Sequence, residues 1–455
     1  MKLRYLWFLS LIILCGCWGT FDYPVLEVPV YPIMEYEWTP VTHTEDTHLD
    51  IVIELKPSEI DTPAAGTIVD IPLDNSPPPG LSAFVASELT DAEIEARIRV
   101  GLTDEAIKHL LEEQRGKYYF DRLSIHEQRL YVELLQIIKA YAFKTIVSSL
   151  STAEIDKVFQ CVSNDHPEIF YTHGYYTTSY TLDDVVKKIA FAASYTVGTN
   201  ERDRRQRYID AYVRECLQGM PIGADDYQKV KYVYEYIIQN TEYDLTSLDN
   251  QNICSVFLYG RSVCQGYAKA TQYLLNAVGV PTTLVTGWAI DGERHAWNLV
   301  IVDGEFYHVD STFGDSSYNP ASDYPHDPDT ANQWRESVMS LNYDFLLITT
   351  AQLERTHIIE AIVPIERATS MRNNYYIREG LWFDAVDEAK LQALFNREIE
   401  KGSRYVTLKS ADNHVYTAMM DYLIGQQRIF SYLAIVEGVV RYIENEKQYT
   451  ITFFL

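Results

Sequence analysis

Three features of this 455-residue sequence predict an α+β protein: a helical block that begins at a cysteine, two apolar strands joined by a two-residue turn just after it, and repeated helix-start signals upstream. Together they describe a helix that begins at a cysteine, followed by an antiparallel strand pair. A mainly helical domain precedes this core and a small α/β domain follows it. The length exceeds what one core usually holds and suggests roughly two or three domains. Hydrophobic residues at 47% and charged residues at 22% are ordinary for chains that pack.

The formal charge of −26 argues against nucleic acid as a partner, because phosphate binding needs a basic footprint. It argues equally against electrostatic docking on anionic lipid or wall polymers, and leaves basic, neutral or peptidic substrates. Tyrosine is over-represented, at 35 against 17 phenylalanines. Packing at core and sheet edges accounts for most of that, with contacts to extended polymers as the functional alternative.

Taken in order, residues 1–17 read as a lipoprotein signal peptide. Lys2 and Arg4 precede an apolar run over 6–14 that is too short to span a bilayer. It ends in Leu14-Cys15-Gly16-Cys17, which resembles the bacterial lipobox, with Cys17 as the lipidated mature N-terminus. The expectation is an exported, membrane-anchored lipoprotein at the cell surface or facing the periplasm, held by acyl chains at about 0.8 kcal/mol per buried CH₂. Residues 18–82 are rich in Pro, Thr and acidic residues and read as a flexible tether, interrupted by a short strand at 49–55.

Residues 83–220 read as the mainly helical domain. Thr90/Glu93, Ser124/Glu127 and Ser151/Glu154 each fit a capping box. The tyrosine-rich stretch 171–180 predicts a strand or hairpin, and His126, His166 and His173 are read as surface or capping residues. Residues 221–360 form the expected catalytic domain. It opens with a helix over 225–240 whose stripe Val230, Val233, Tyr234, Ile237 and Ile238 is core.

The chemistry lies next. Gly260 to Ala270 (GRSVCQGYAKA) continues helically and stops at Gly279, which places Cys264 at a helix N-terminus. Free amides and the macrodipole there favour a thiolate and supply part of an oxyanion hole. Two strand candidates then flank Asp303-Gly304, a strong hairpin signal. That turn pairs residues whose numbers sum to 607, as 303 and 304 do, so Trp297 opposes Asp310 and His295 opposes Thr312. His295 and Asp310 become diagonal neighbours on one face, roughly 7–8 Å apart in backbone and within side-chain reach. Cys264 as nucleophile, His295 as proton carrier and Asp310 as its orienting carboxylate follow from these positions. Trp297 shares their face as a shield from water. His308 lies on the same face and is read as packing or substrate contact. Tyr259 and Tyr243 are candidates for a second oxyanion donor, and Gln265 is an oxyanion or substrate candidate.

Val263-Cys264-Gln265-Gly266-Tyr267-Ala268, His295-Ala296-Trp297-Asn298 and Val309-Asp310-Ser311-Thr312 resemble, in order and spacing, the three signature blocks of the transglutaminase-like superfamily. The resemblance covers about residues 225–350 and implies a papain-like core with Cys264, His295 and Asp310 in the catalytic positions. It implies an amide-cleaving cysteine peptidase acting on peptides, proteins or cell-wall peptides through a thioester. The alternatives are acyl transfer from glutamine to an amine and a non-catalytic binding or scaffold lipoprotein. No cofactor is expected. With neither Cys/His zinc spacing nor an oxygen-rich calcium loop, no metal is expected either. Disulfide pairing among Cys161, Cys216 and Cys254 stays open.

After the signature, 313–342 reads as a long polar insertion, either a loop bordering the cleft or a plain surface loop, and 343–348 as a strand. Glu354 and His357 stand at helical spacing as a cap or surface pair. Residues 366–455 alternate strand and helix (strand 374–377, helix 386–401, strand 405–408, helix 416–426, strands 438–443 and 449–455), predicting the small C-terminal α/β domain.

Overall fold

The computed structural model describes residues 50–57 (backbone only), 89–290, 292–315, 341–433 and 440–455. The expected signal segment with Cys17, most of the tether, most of the 313–342 insertion and the start of the 438–443 strand lie outside the described residues. Residues 47–455 form one compact unit.

The first sheet is antiparallel. Its strands β1 (Asp50–Pro57), β2 (Thr145–Val147), β3 (Thr172–Leu182) and β4 (Val185–Tyr195) run in the order β1-β3-β4-β2. The strand expected at 49–55 is therefore one edge of this sheet. The β3–β4 hairpin turns at Asp183 and Asp184, both at positive φ (51° and 59°), as a two-residue turn matched to strand twist requires. Helices α1 (Asp91–Arg99), α2 (Asp104–Glu113), α3 (Ile125–Lys139) and α4 (Thr152–Asp165) accompany it. Two of the three expected capping boxes close in both directions, at Thr90 and Ser124. At Ser151 only half forms, because the Glu154 carboxylate takes the Ser149 hydroxyl instead. His166 caps the C-terminus of α4, but it is buried rather than on the surface, between Glu168 and Gln114 at 2.7 and 3.0 Å.

Helices α5 (Thr199–Gln218), α6 (Asp226–Gln239), α7 (Ile253–Tyr259) and α8 (Cys264–Ala277) follow, with β5 (Glu242–Tyr243) and β6 (Arg261–Ser262) as a short parallel pair. All five residues of the expected α6 stripe are buried. The second sheet is antiparallel, in the order β10-β9-β8-β7-β11: β7 (Thr282–Ala289), β8 (Arg294–Val302), β9 (Glu305–Val309), β10 (Leu346–Ile348) and β11 (His357–Ile359). The β8–β9 register is Val302↔Glu305 through Asn298↔Val309, with Asp303 and Gly304 both at positive φ. This is the pairing that the Asp-Gly turn predicts. A four-residue helix, α9 (Ser311–Gly314), starts where β9 ends.

One hydrophobic cluster runs from Leu102 to Val363, so the boundary expected near 220 falls inside a continuous core. A second cluster, Tyr376 to Phe453, fills the C-terminal module. Its sheet is β12 (Trp382–Phe383), β13 (Tyr405–Ser410), β14 (Tyr442–Asn445) and β15 (Thr450–Phe454), in the order β12-β13-β15-β14. Residues 374–377 are not the expected strand. Asn374 caps a short helix, Tyr375–Arg378, by accepting from the Tyr376 amide, and this local bond overrides the strand preference of two tyrosines. Likewise 343–348 begins as a 3₁₀ turn, Tyr343–Phe345, before β10.

Candidate active site

Cys264 is the first residue of α8, and no side chain caps the helix at Val263. Its amide end therefore faces the thiol, with the macrodipole adding partial positive charge. Gly266 explains how this end is seated. A Cβ there would collide with the Ser262 and Ser255 hydroxyls and come within 2.9 Å of the Asn250 carbonyl. The loop before α7 is packed onto the first turn of α8 at van der Waals contact.

The hairpin supplies the other two groups. His295 sits on β8 opposite Gly287, where a side chain would strike the Trp297 ring at 2.8 Å and the Ile358 carbonyl. Asp310 leaves β9 as the cap of α9: its Oδ1 accepts the Thr312 and Phe313 amides at 2.9 and 3.0 Å, while its own amide donates to the Phe345 carbonyl at 3.0 Å. Its Oδ2 accepts His295 Nε2 at 2.7 Å. That leaves His295 Nδ1 clear of the carboxylate, and Cys264, which lines the same cavity as His295, helps raise the imidazole.

A residue that the sequence did not reveal completes the carboxylate. His357, on β11, donates from Nε2 to the same Oδ2 at 3.0 Å while its Nδ1 meets the Thr356 hydroxyl at 2.8 Å. The expected Glu354–His357 pair does not exist. His357 is buried, and Glu354 pairs with Arg367 at 3.1 Å. The helical turn ends at Leu353, so spacing of three no longer means one face. Only the short apolar run after His357 hinted at a strand, and its contact lies 47 residues back in the chain.

The electrostatics follow from this wiring. Burial alone would depress the His295 imidazole, but the Asp310 charge and hydrogen bond, joined by Cys264, push it up to about 10. Burial would raise Asp310; the charge and bond of His295 and the His357 bond hold it well below the usual carboxylate range. His357 is lowered, chiefly by burial, and stays neutral. His308 has the opposite fate to His295. Burial, with His357 and Arg367 nearby, pushes it down to about 3. Trp297 Nε1 can only donate, so His308 Nδ1 accepts at 3.2 Å and Nε2 donates to Thr350 at 3.1 Å. It is a packing residue, fixed in one neutral tautomer.

Trp297 is fully buried and lies 6.0 Å from the His295 ring at an interplanar angle of 19°. Gln265 and Cys264 line a cavity of about 130 Å³ with Phe159, Gln160, Asn164 and Arg294, so α4 forms its far wall. Tyr259 and Tyr243, the other oxyanion candidates, are not part of its lining. Tyr259 lies beside Arg205 and Cys254, and Tyr243 packs near Tyr267 with ring centres 6.4 Å apart. Cys161, Cys216 and Cys254 are buried and unpaired; burial pushes the latter two thiols up to about 12. Cys264 is half-buried.

Among the described residues, the group with metal-ligating composition is His295, Asp310 and His357. Both imidazoles use their Nε2 protons on Asp310, whereas a metal at roughly 2.0–2.1 Å would need those nitrogens deprotonated. The group is a hydrogen-bonded cluster.

Residues 210–311, which hold all three signature residues, match the family model of the Transglutaminase-like superfamily. The chain is 26% identical over 122 residues to human (Homo sapiens) kyphoscoliosis peptidase, covering 23% of this chain and 18% of that protein. Among solved structures, it aligns with a TGase at 14% identity (35% of this chain, 49% of that one, TM-score 0.24). It also aligns with the periplasmic domain of TgpA from Pseudomonas aeruginosa at 16% identity (31% and 72%, TM-score 0.19). The chain thus spans less than half the length of the curated relative and of the TGase.

Proposed function

We propose that this protein is a cysteine amidase or peptidase working through a thioester, a reading supported by the match of residues 210–311 to the Transglutaminase-like superfamily model. The observation that carries the reading is one arrangement: Cys264 and His295 line the same cavity, and His295 Nε2 donates to an Asp310 carboxylate held by two amides.

The chemistry is then as follows. His295 holds the thiol proton as imidazolium, and Cys264 Sγ attacks a carboxamide carbon. The free amides at the start of α8 steady the developing oxyanion. As the tetrahedral species collapses, the C–N bond breaks and His295 Nδ1–H passes its proton to the leaving amine. Water then attacks the thioester, giving a proton to His295, and the acid leaves as Sγ is released. Water is the acceptor this reading favours, because Gln160, Ser163, Asn164 and Thr286 on the cavity wall offer groups that can hydrogen-bond it.

The mixed lining of the cavity, with Phe159 beside Gln160, Asn164 and Arg294, and the net charge of −26 suit peptide or protein substrates, cell-wall peptides included. The lipobox-like Cys17 supports a membrane-anchored, exported protein, which labelled-palmitate incorporation lost in Cys17→Ser would test. The function itself is tested by incubating the protein with peptide pools, with and without a labelled primary amine, beside Cys264→Ala. Shorter peptides that depend on Cys264 support hydrolysis. Amine incorporation instead replaces it with transfer, and no Cys264-dependent product overturns the enzymatic reading.

A further inference from the structure

The C-terminal module contributes nothing to the lining of the cavity around Cys264, yet four of its elements converge on one carboxylate of the catalytic region. Asp344 is buried. Its Oδ1 accepts the Tyr376 hydroxyl at 3.0 Å and Lys409 Nζ at 3.2 Å; its Oδ2 accepts Asn445 Nδ2 at 3.0 Å and Thr450 Oγ1 at 2.9 Å. These donors stand on the helix Tyr375–Arg378, β13, β14 and β15. Lys409 is buried as well, so the ion pair is fully inside the protein.

The residue after Asp344 touches the active site. The Phe345 carbonyl accepts the Asp310 amide at 3.0 Å, and the Phe345 ring packs edge-on against both Phe313 and His357, at 5.1 and 5.8 Å. Two residues on, Leu347 has φ of 56°, inside a bulge between the pairs Leu346↔Val309 and Ile348↔His308. A bulky residue takes this left-handed conformation only where its surroundings impose it. The C-terminal module supplies that restraint too, since Asn374 Nδ2 donates to the Leu347 carbonyl at 3.3 Å.

We propose that Asp344 is a positioning residue: gripped by the C-terminal module, it fixes the strand that orients Asp310, so the module is a working part of the active site. The inference rests on the cysteine-enzyme reading for its catalytic meaning, but its structural content can be measured alone. If the grip loosens, the bulge at Leu347 relaxes, the Phe345 carbonyl withdraws from the Asp310 amide, and the carboxylate loses its aim at His295. A misplacement of about 1 Å at such a group can cost about 10²-fold in rate.

The test uses the full chain with Lys409→Met and Thr450→Val, and Leu391→Ala as a control that empties the core of the same module without touching Asp344. Hydrogen exchange is followed in the segment 309–313, and the rate of Cys264 alkylation is followed at pH 6. Compared with a control of equal melting temperature, the socket variants should expose the Asp310 amide about tenfold faster, with α8 unchanged. Alkylation should fall about fivefold or more as imidazolium support weakens. Thr450→Val removes one donor of four and serves if Lys409→Met does not fold. Equal exchange in the socket and control variants overturns the proposal. Wild-type protein with no preferential alkylation of Cys264 overturns the cysteine-enzyme reading instead, while the exchange comparison still decides the socket.

Discussion

Asp310 and Asp344 are both buried carboxylates, and each accepts four hydrogen bonds, yet they are wired for different ends. Asp310 takes two backbone amides on one oxygen and two imidazoles on the other. Its amide bonds fix direction while its imidazole bonds carry charge, so the group can support a proton as it moves. Asp344 takes two hydroxyls, an amide and an ammonium, and no imidazole stands among its donors. The first carboxylate sits in a circuit that changes state, and the second fastens two parts of the fold. Four donors alone do not mark a catalytic acid; the titration of the donors does.

The comparison breaks most sharply under amide substitution. Asp310→Asn should keep the fold and lower Cys264-dependent turnover by about 10³–10⁴-fold, since an amide cannot support the imidazolium. Asp344→Asn should instead cost stability first, by about 3–5 kcal/mol, because Lys409 is left buried without its counter-charge. Turnover and chemical denaturation measured on both variants check this; equal turnover losses with equal stabilities would erase the distinction.

A smaller effect is expected at the second imidazole. His357→Phe removes one neutral donor from Asp310 and should lower turnover by about 10–100-fold, the range seen when outer partners of a reactive group are lost. His357→Gln keeps an N–H at similar reach and should recover most of it. A Gln variant as impaired as Phe would assign His357 to packing.

The pH profile follows from the raised His295. Its imidazolium is favoured in the folded protein, so the stabilising contribution is complete below its ordinary value near 6.5 and is lost as pH rises through about 10. The His295 imidazole should therefore keep its proton from pH 6 to 9 and lose it only near 10, which its ring-proton NMR shifts would report. Titration near 6.5 instead would contradict the ion pair with Asp310. The smallest effect belongs to His308: already neutral and fixed between Trp297 and Thr350, it should change turnover less than about tenfold when replaced by Gln, while lowering the melting temperature.

Much of this site was legible in the sequence because its determinants are local. The Asp303-Gly304 turn dictates the β8–β9 register, and the register sets His295 beside Asp310. Cys264 follows from a helix start framed by Gly260 and Gly279. His357 was not legible, because β11 is three residues long and reaches β7 across a connection with no repeating pattern. The helix at Tyr375 was misread for a related reason: one Asn374 side-chain bond decided between conformations that composition ranks alike. For a second oxyanion donor the sequence offers Tyr259 and Tyr243 only as candidates, and α7 turns Tyr259 toward Arg205. The Asp344 socket draws its donors from positions up to 106 residues away, beyond any local signal.

The central claim is covalent chemistry at Cys264 driven by His295 and Asp310. Acid-quenching the protein during turnover of a peptide pool and mapping adduct mass by peptide tests it most directly. The account predicts a hydroxylamine-labile acyl adduct on Cys264, absent in Cys264→Ala and strongly reduced in His295→Ala. Product formation that persists in Cys264→Ala, with no adduct on that residue in the wild type, would contradict it.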